Sequence, residues 1–170
     1  RLGVLVAMNP AALKANLQDL EKGGILIVNS DSFSENDLRK AEYAENPLET
    51  GELNDYRKVE IPITKLTLKA VEETGLSHRD GARCKNFFAL GVVDWLFVRS
   101  LDQTQEWIKA KFKSKAEVAV ANVLALQAGY NYAITIELFQ ARYYVPPAVL
   151  PSGEYRQITG NQALALGCVA

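Results

Sequence analysis

Histidine occurs once in these 170 residues, as His78, and cysteine twice, as Cys84 and Cys168. One imidazole excludes a histidine-built metal cluster. Two thiols so far apart supply neither a disulfide framework nor a Cys-x-x-Cys ligand pair, and they are too few for an iron–sulfur cluster. Such sparing use suits a reducing compartment, and a cytoplasmic location is expected. An excess of one charge is also missing. Lys and Arg number 19 against 20 Asp and Glu, for a formal net charge of -1. A general nucleic-acid binder needs a basic surface that this balance does not provide. No apolar run approaches a membrane span, and the opening residues do not read as a signal peptide. Internal repeats and low-complexity tracts are absent.

What is present is ordinary globular material, 48% hydrophobic and 23% charged, enough for one real core. Leu2 to Ala7 is a continuous apolar run, as in parallel strands covered on both faces. Pro10 opens a helix expected over residues 10 to 21, with Leu13, Leu17 and Leu20 on one stripe. Ile25-Leu26-Ile27-Val28-Asn29 reads as a second buried strand, which makes a βαβ unit with a right-handed crossover. Arg57 to Ile61 alternates like a half-exposed strand that Pro62 ends. The fold class is therefore α/β, a layered sheet with flanking helices and a helix-rich second half.

In that second half Thr64 is expected to cap a helix through Glu73, closed at Thr74-Gly75, and Ser77 to cap the next. Ser34 is expected to cap a short earlier one. Further helices are read over Asn86 to Phe97, Glu106 to Phe112 and Ala116 to Leu126, the last with a stop at Gly129. Thr159 reads as the cap of a final Ala/Leu helix. Residues 145 to 153 carry three prolines and one glycine, the best linker in the chain.

Candidate chemistry is thin. Loops beyond the carboxyl ends of parallel strands are the usual binding positions, and Asn9, Asn29 and Ser32 occupy them. They suit hydrogen bonds to an oxygen-rich ligand, or equally the capping of turns and helices. Lys22-Gly23-Gly24 precedes a strand, the wrong order for a phosphate loop. A positive φ at a helix-to-strand turn explains it better. Arg79, Arg83 and Lys85 stand before an apolar helix, as an anion or partner contact or as plain solvated surface. Cys84 lies near cations that could lower its pKa, but no histidine stands at catalytic spacing in sequence. Asp94 interrupts an apolar helix and is open to three roles: a cap, a pair with Arg99, or a subunit contact. Trp95, Phe97, Trp107 and Phe112 are spaced as core or interface aromatics.

Five segments in order carry a resemblance. They are Gly3-Val4-Leu5-Val6-Ala7-Met8-Asn9, Lys22-Gly23-Gly24-Ile25, Asn46-Pro47-Leu48, Arg83-Cys84-Lys85-Asn86-Phe87-Phe88-Ala89-Leu90-Gly91 and Gly160-Asn161-Gln162-Ala163-Leu164-Ala165-Leu166-Gly167. Together they resemble the alpha subunit of the 2-oxoacid:ferredoxin oxidoreductases, in the 2-oxoglutarate type. The resemblance implies a gamma domain lacking its N-terminal part over residues 1–144, a linker over 145–154, and the start of a thiamine diphosphate pyrimidine-binding domain over 155–170. It implies a complex that oxidatively decarboxylates a 2-oxoacid to an acyl-CoA and passes electrons to ferredoxin. Thiamine diphosphate, Mg, coenzyme A and iron–sulfur clusters would belong to that complex on other domains or subunits. A beta subunit, a second alpha subunit and ferredoxin would be the partners, with no nucleic acid and no membrane. No catalytic residue is expected in this chain, which by itself should be silent. Asn9, Asn29, Ser32, Arg79, Arg83 and Lys85 become the candidates for coenzyme A contact. Two other readings compete: a self-sufficient coenzyme A- or nucleotide-binding module, and a purely structural assembly domain.

Overall fold

A computed structural model describes residues 2–139, 142–146 and 148–169. Three parallel strands form one sheet in the order β1 (Leu2–Ala7), β2 (Leu20–Asn29), β3 (Arg57–Ile61). Alternation along β2 divides the core. Leu26 and Val28 join Leu5 and Ala7 on one face, under α1 (Pro10–Asn16) and α2 (Glu35–Lys40), through Leu13 and Leu38. Ile25 and Ile27 join Val4, Val6, Val59 and Ile61 on the other face. That second face is covered by α3 (Ile63–Ala70), α5 (Lys85–Leu96) and α7 (Ala116–Thr135), with α4 (His78–Arg83) at the foot of α3. Outside these, α6 (Asp102–Lys111) packs Ile108 against Ala119 and Leu126 of α7. The α/β layering and the helix-rich second half are as the sequence implied.

The first helix ends at Asn16, short of the expected residue 21, and β2 begins at Leu20. The reason lies in the glycines. Leu2 pairs with Leu20 but Val4 pairs with Ile25, so β2 carries an irregular bulge at residues 21–24. Gly23 takes φ +77 there, as the glycine reading required, though inside a strand and not at its entry. Its amide donates to the Asp55 carbonyl at 2.8 Å, and Lys22 pairs with the Asp55 carboxylate at 2.7 Å. The bulge sits at the amino ends of the strands, away from the usual ligand rim.

Two other boundaries are corrected. Thr64 is not a cap; Pro62 precedes the first turn of α3, which starts at Ile63. Gly129 does not stop α7, which runs on to Thr135. A Cβ on Gly129 would stand 1.9 Å from the Phe88 carbonyl oxygen, and one on Gly91 would stand 2.1 Å from the Leu126 carbonyl oxygen. These glycines let α5 and α7 cross backbone to backbone. Phe88 and Tyr132 then meet beside the crossing, with ring centroids 5.9 Å apart. The Ser34, Ser77 and Thr159 caps are as expected. Their hydroxyls accept the Asp37, Asp80 and Gln162 amides, the last opening α8 (Gly160–Val169).

Three helices end without the glycine that usually serves a left-handed cap. Glu42, Val98 and Glu137 hold φ of 58, 54 and 47 after α2, α5 and α7. Each closes the same pair of bonds, for example Val98 N–H to the Trp95 carbonyl and Arg99 N–H to the Asp94 carbonyl, at 3.2 and 2.8 Å. Val98 is the most strained of the three, because its branched Cβ crowds the carbonyl in this conformation. Asp94 itself is 5% exposed, and its Oδ2 has no hydrogen-bond partner. Of its three expected roles, the ion pair with Arg99 does not form among the described residues. Desolvation pushes its carboxyl above the ordinary range, and the Arg99 charge opposes this only in part.

Gly91→Ala and Gly129→Ala should each destabilise by about 2 kcal/mol or more, because overpacking against backbone outweighs roughly 1 kcal/mol of helix propensity. A lower urea midpoint checks this. Val98→Gly should stabilise by about 1 kcal/mol, seen as a higher Tm. Because the folded Asp94 carboxyl titrates higher than the unfolded one, stability falls as pH rises through that interval. Asp94→Asn should therefore raise Tm at pH 7, and its advantage should vanish below about pH 4, where both states are protonated. A Tm gain that is independent of pH would refute the assignment.

Candidate functional site

All three strands run parallel, so their carboxyl ends share one rim. Register pairs Ala7 with Val28 and Asn29 with Ile61, which brings Asn9, residues 29–32 and residues 62–64 together there. Asn9 is exposed and caps α1, its Oδ1 accepting the Ala12 amide at 2.8 Å. Pro10 follows at the position where no amide is needed. Asn29 is fully buried. Its Nδ2 donates to Ser32 Oγ at 2.7 Å and to Thr64 Oγ1 at 3.0 Å, while its Oδ1 accepts the Thr64 amide at 3.3 Å. Asp31 Oδ2 accepts the Lys65 amide at 2.8 Å.

The end of β2 thus caps α3, a helix that has no side-chain cap of its own. Burial of Asn29 is tolerable because its amide is hydrogen-bonded. Asn9, Asp31 and Lys65 are the rim's exposed polar groups. The rim can orient an oxygen-rich molecule by hydrogen bonds. It offers no histidine, cysteine or tyrosine for proton transfer.

The basic segment is built differently. Ser77 Oγ accepts the Asp80 amide and donates to Asp80 Oδ2 at 2.7 Å. Arg83 Nη1 lies 3.0 Å from Asp80 Oδ1. The Ser77 hydrogen bond, then the Arg83, Arg79 and Lys115 charges, hold the Asp80 carboxyl below its usual range against an opposing desolvation. Cys84 is buried, and burial followed by the Asp80 charge pushes its thiol up. A lowering by the nearby cations is therefore not found, because burial and the Asp80 charge act the other way. Arg79 is exposed and Lys85 half-buried, and neither forms an ion pair among the described residues.

The two groups of candidates are neighbours but not one cluster. Asn86, next to Lys85, shares a shallow hollow with Met8, next to Asn9. Arg83 instead opens on a separate groove of about 500 Å³ between α4 and the α6–α7 turn. Lys111, Lys115 and Asn122 line that groove, and the sequence reading did not single them out. The only signal was Asn122 interrupting an Ala/Leu/Val run. Among the described residues no three His, Cys, Asp or Glu side chains gather to hold a metal ion. No helix of the described residues is long and apolar enough to cross a membrane.

Comparison with known proteins places this geometry in context. Residues 1–132 match the family described as pyruvate ferredoxin/flavodoxin oxidoreductase. The chain is 56% identical over 169 residues to the 2-oxoglutarate oxidoreductase subunit KorA of Mycobacterium tuberculosis, a match covering 99% of this chain and 26% of that protein. It therefore spans about a quarter of the length of this curated relative. Its fold is similar to that of a solved 2-oxoglutarate:ferredoxin oxidoreductase from Magnetococcus marinus with 2-oxoglutarate, coenzyme A and succinyl-CoA bound. The TM-score is 0.58 at 21% identity, over 87% of this chain and 22% of that one. That likeness speaks for the fold, and it agrees with the α/β layering. With its family match extending from β1 through nearly all of α7, the chain belongs to the pyruvate ferredoxin/flavodoxin oxidoreductase family.

Proposed function

We propose that the chain works as a packing domain beside the coenzyme A region in the alpha subunit of a 2-oxoglutarate:ferredoxin oxidoreductase. The observation that carries this reading is the 56% identity to a 2-oxoglutarate oxidoreductase subunit across nearly the whole chain. The reaction would be oxidative decarboxylation of the 2-oxoacid, with the acyl group passed to coenzyme A and electrons to ferredoxin. A beta subunit, a second alpha subunit and ferredoxin would be its partners, in the cytoplasm. Thiamine diphosphate, Mg and iron–sulfur centres would be held by other domains or subunits. The two cysteines are one buried and one exposed, and no metal-ligating group gathers among the described residues. No step of that chemistry is assigned to this chain.

The division into residues 1–144, 145–154 and 155–170 is proposed alongside. Its support is that Tyr143 still packs on Phe97, whereas every described residue from Tyr144 onward is exposed. Among the contact candidates the structure favours unequal shares. Asn29 and Ser32 hold the β2 loop to α3, and Asn9 caps α1. Arg79 and Lys85 are uncommitted, so they are the better phosphate contacts. The exposed Val120, Leu124 and Ile134 on α7 favour a share of subunit packing as well.

In the assembled oxidoreductase, the double variant Arg79→Ala/Lys85→Ala should raise KM for coenzyme A about tenfold while kcat changes little, as expected for lost charge-assisted contacts. An unchanged KM favours the purely structural domain. Tight one-to-one binding of coenzyme A by the chain alone, read by calorimetry, favours a self-sufficient module.

A further inference from the structure

We propose that the groove between α4 and the α6–α7 turn binds a small organic phosphate, an anion carried on a flat apolar body. Its floor is aromatic and its rim basic. Phe87 and Phe112 meet edge-on there, with centroids 6.4 Å apart and planes at 77°. Arg83, Lys111 and Lys115 line the groove against one acid, Asp80. Three cations less one carboxylate leave two positive charges. That excess matches a phosphomonoester dianion better than a singly charged carboxylate.

Asn122 makes the groove more than a charged surface. It is 3% exposed, lines the cavity, and makes no side-chain hydrogen bond with any described residue. Asp94 Oδ2 is the one buried side-chain atom without a partner among the described residues, so the Asn122 amide is reached through the groove, where a ligand can bond to it. The amino end of α7 adds to this. Lys115 precedes the first turn of this 20-residue helix without a side-chain cap, and Ser114, Lys115 and Val118 at that end line the same groove, with Glu117 in the first turn offsetting part of the dipole. The cations are also free to move. Lys111 Nζ rests 4.4 Å from the centroid of the half-exposed Trp107 ring, a weaker interaction than a charge-assisted bond to phosphate. Lys115 forms no ion pair among the described residues. Arg83 keeps Asp80 as one partner and has donors to spare.

This inference is independent of the coenzyme A reading. It uses Arg83 alone from that set and makes no use of Arg79 or Lys85. The test is a nitrogen-resolved NMR titration of the full chain with phenyl phosphate. Inorganic phosphate, benzoate and benzyl alcohol serve as partial probes. The Asn122 side-chain amide and the Trp107 indole resonances should move together as Lys111 leaves the ring. Lys115→Glu, an exposed change that the fold tolerates, should weaken binding about tenfold or more. Lys85→Ala should leave it unchanged, since Lys85 lines no part of the groove. A still Asn122 resonance, or equal binding by Lys115→Glu, overturns the proposal. Inorganic phosphate binding as tightly as phenyl phosphate removes the apolar half, and benzoate binding as tightly removes the dianion; either result overturns it as stated.

Discussion

Gly91 and Gly129, each without room for a Cβ, set how closely α5 and α7 cross. With the backbones this near, Phe88 and Ala125 reach the core on the sheet's second face, where Ile25, Ile27 and Ile61 meet them. Leu126, at the same crossing, turns outward to receive Ile108 of α6. Two backbone contacts, Gly91 on Leu126 and Gly129 on Phe88, thus set the helix pair between the sheet and the outer helix. Any larger residue at either position would part the helices and open gaps on both sides at once. Interiors are close-packed and give little, so such a change is felt far from its source.

The strands were legible because their side-chain pattern is chemical. Apolar runs in β1 and β2 and the alternation in β3 follow from which faces are covered. The serine caps were legible for the same reason: a hydroxyl three residues before a free amide is a local arrangement. What failed was everything decided at a distance. Gly129 read as a stop because glycine is a poor helix former, yet contact with α5 overrides that preference. The left-handed turns after α2, α5 and α7 carried no signal, since Glu42, Val98 and Glu137 stand where glycine is the usual marker, although the end of α5 was legible at its C-cap Phe97. Thr64 read as a cap, but its amide is capped by Asn29 from a different element, 35 positions earlier in the chain.

The candidate site was legible to the same degree. The parallel-strand rule put Asn9, Asn29 and Ser32 on one rim, and the register bears this out geometrically. Asp31 lies in the same loop, but its bond to the Lys65 amide, and that of Asn29 to Thr64, appear only once α3 is docked on it. The basic segment was visible as a charge run. The groove beside it was not, because its lining spans residues 76–122 and each member alone is an ordinary surface or helix residue. Most of the polar side chains of the rim hold the protein's own loops in place. That suits a domain whose contribution is surface and position more than bond making.

Tyr143 carries a geometric consequence for the polypeptide's path. Its hydroxyl accepts from Arg57 Nη2 at 3.0 Å, and Arg57 Nε donates to the Gly23 carbonyl at 2.9 Å. Its amide donates to the Leu96 carbonyl at 2.8 Å. Three remote segments are latched at one point, and that point lies where β3 begins. The polypeptide therefore departs from the pole of the sheet opposite Asn9 and Asn29. Residues 144–146 and 148–169 thus set out from the amino ends of the strands, on the side of the bulge and not of the rim.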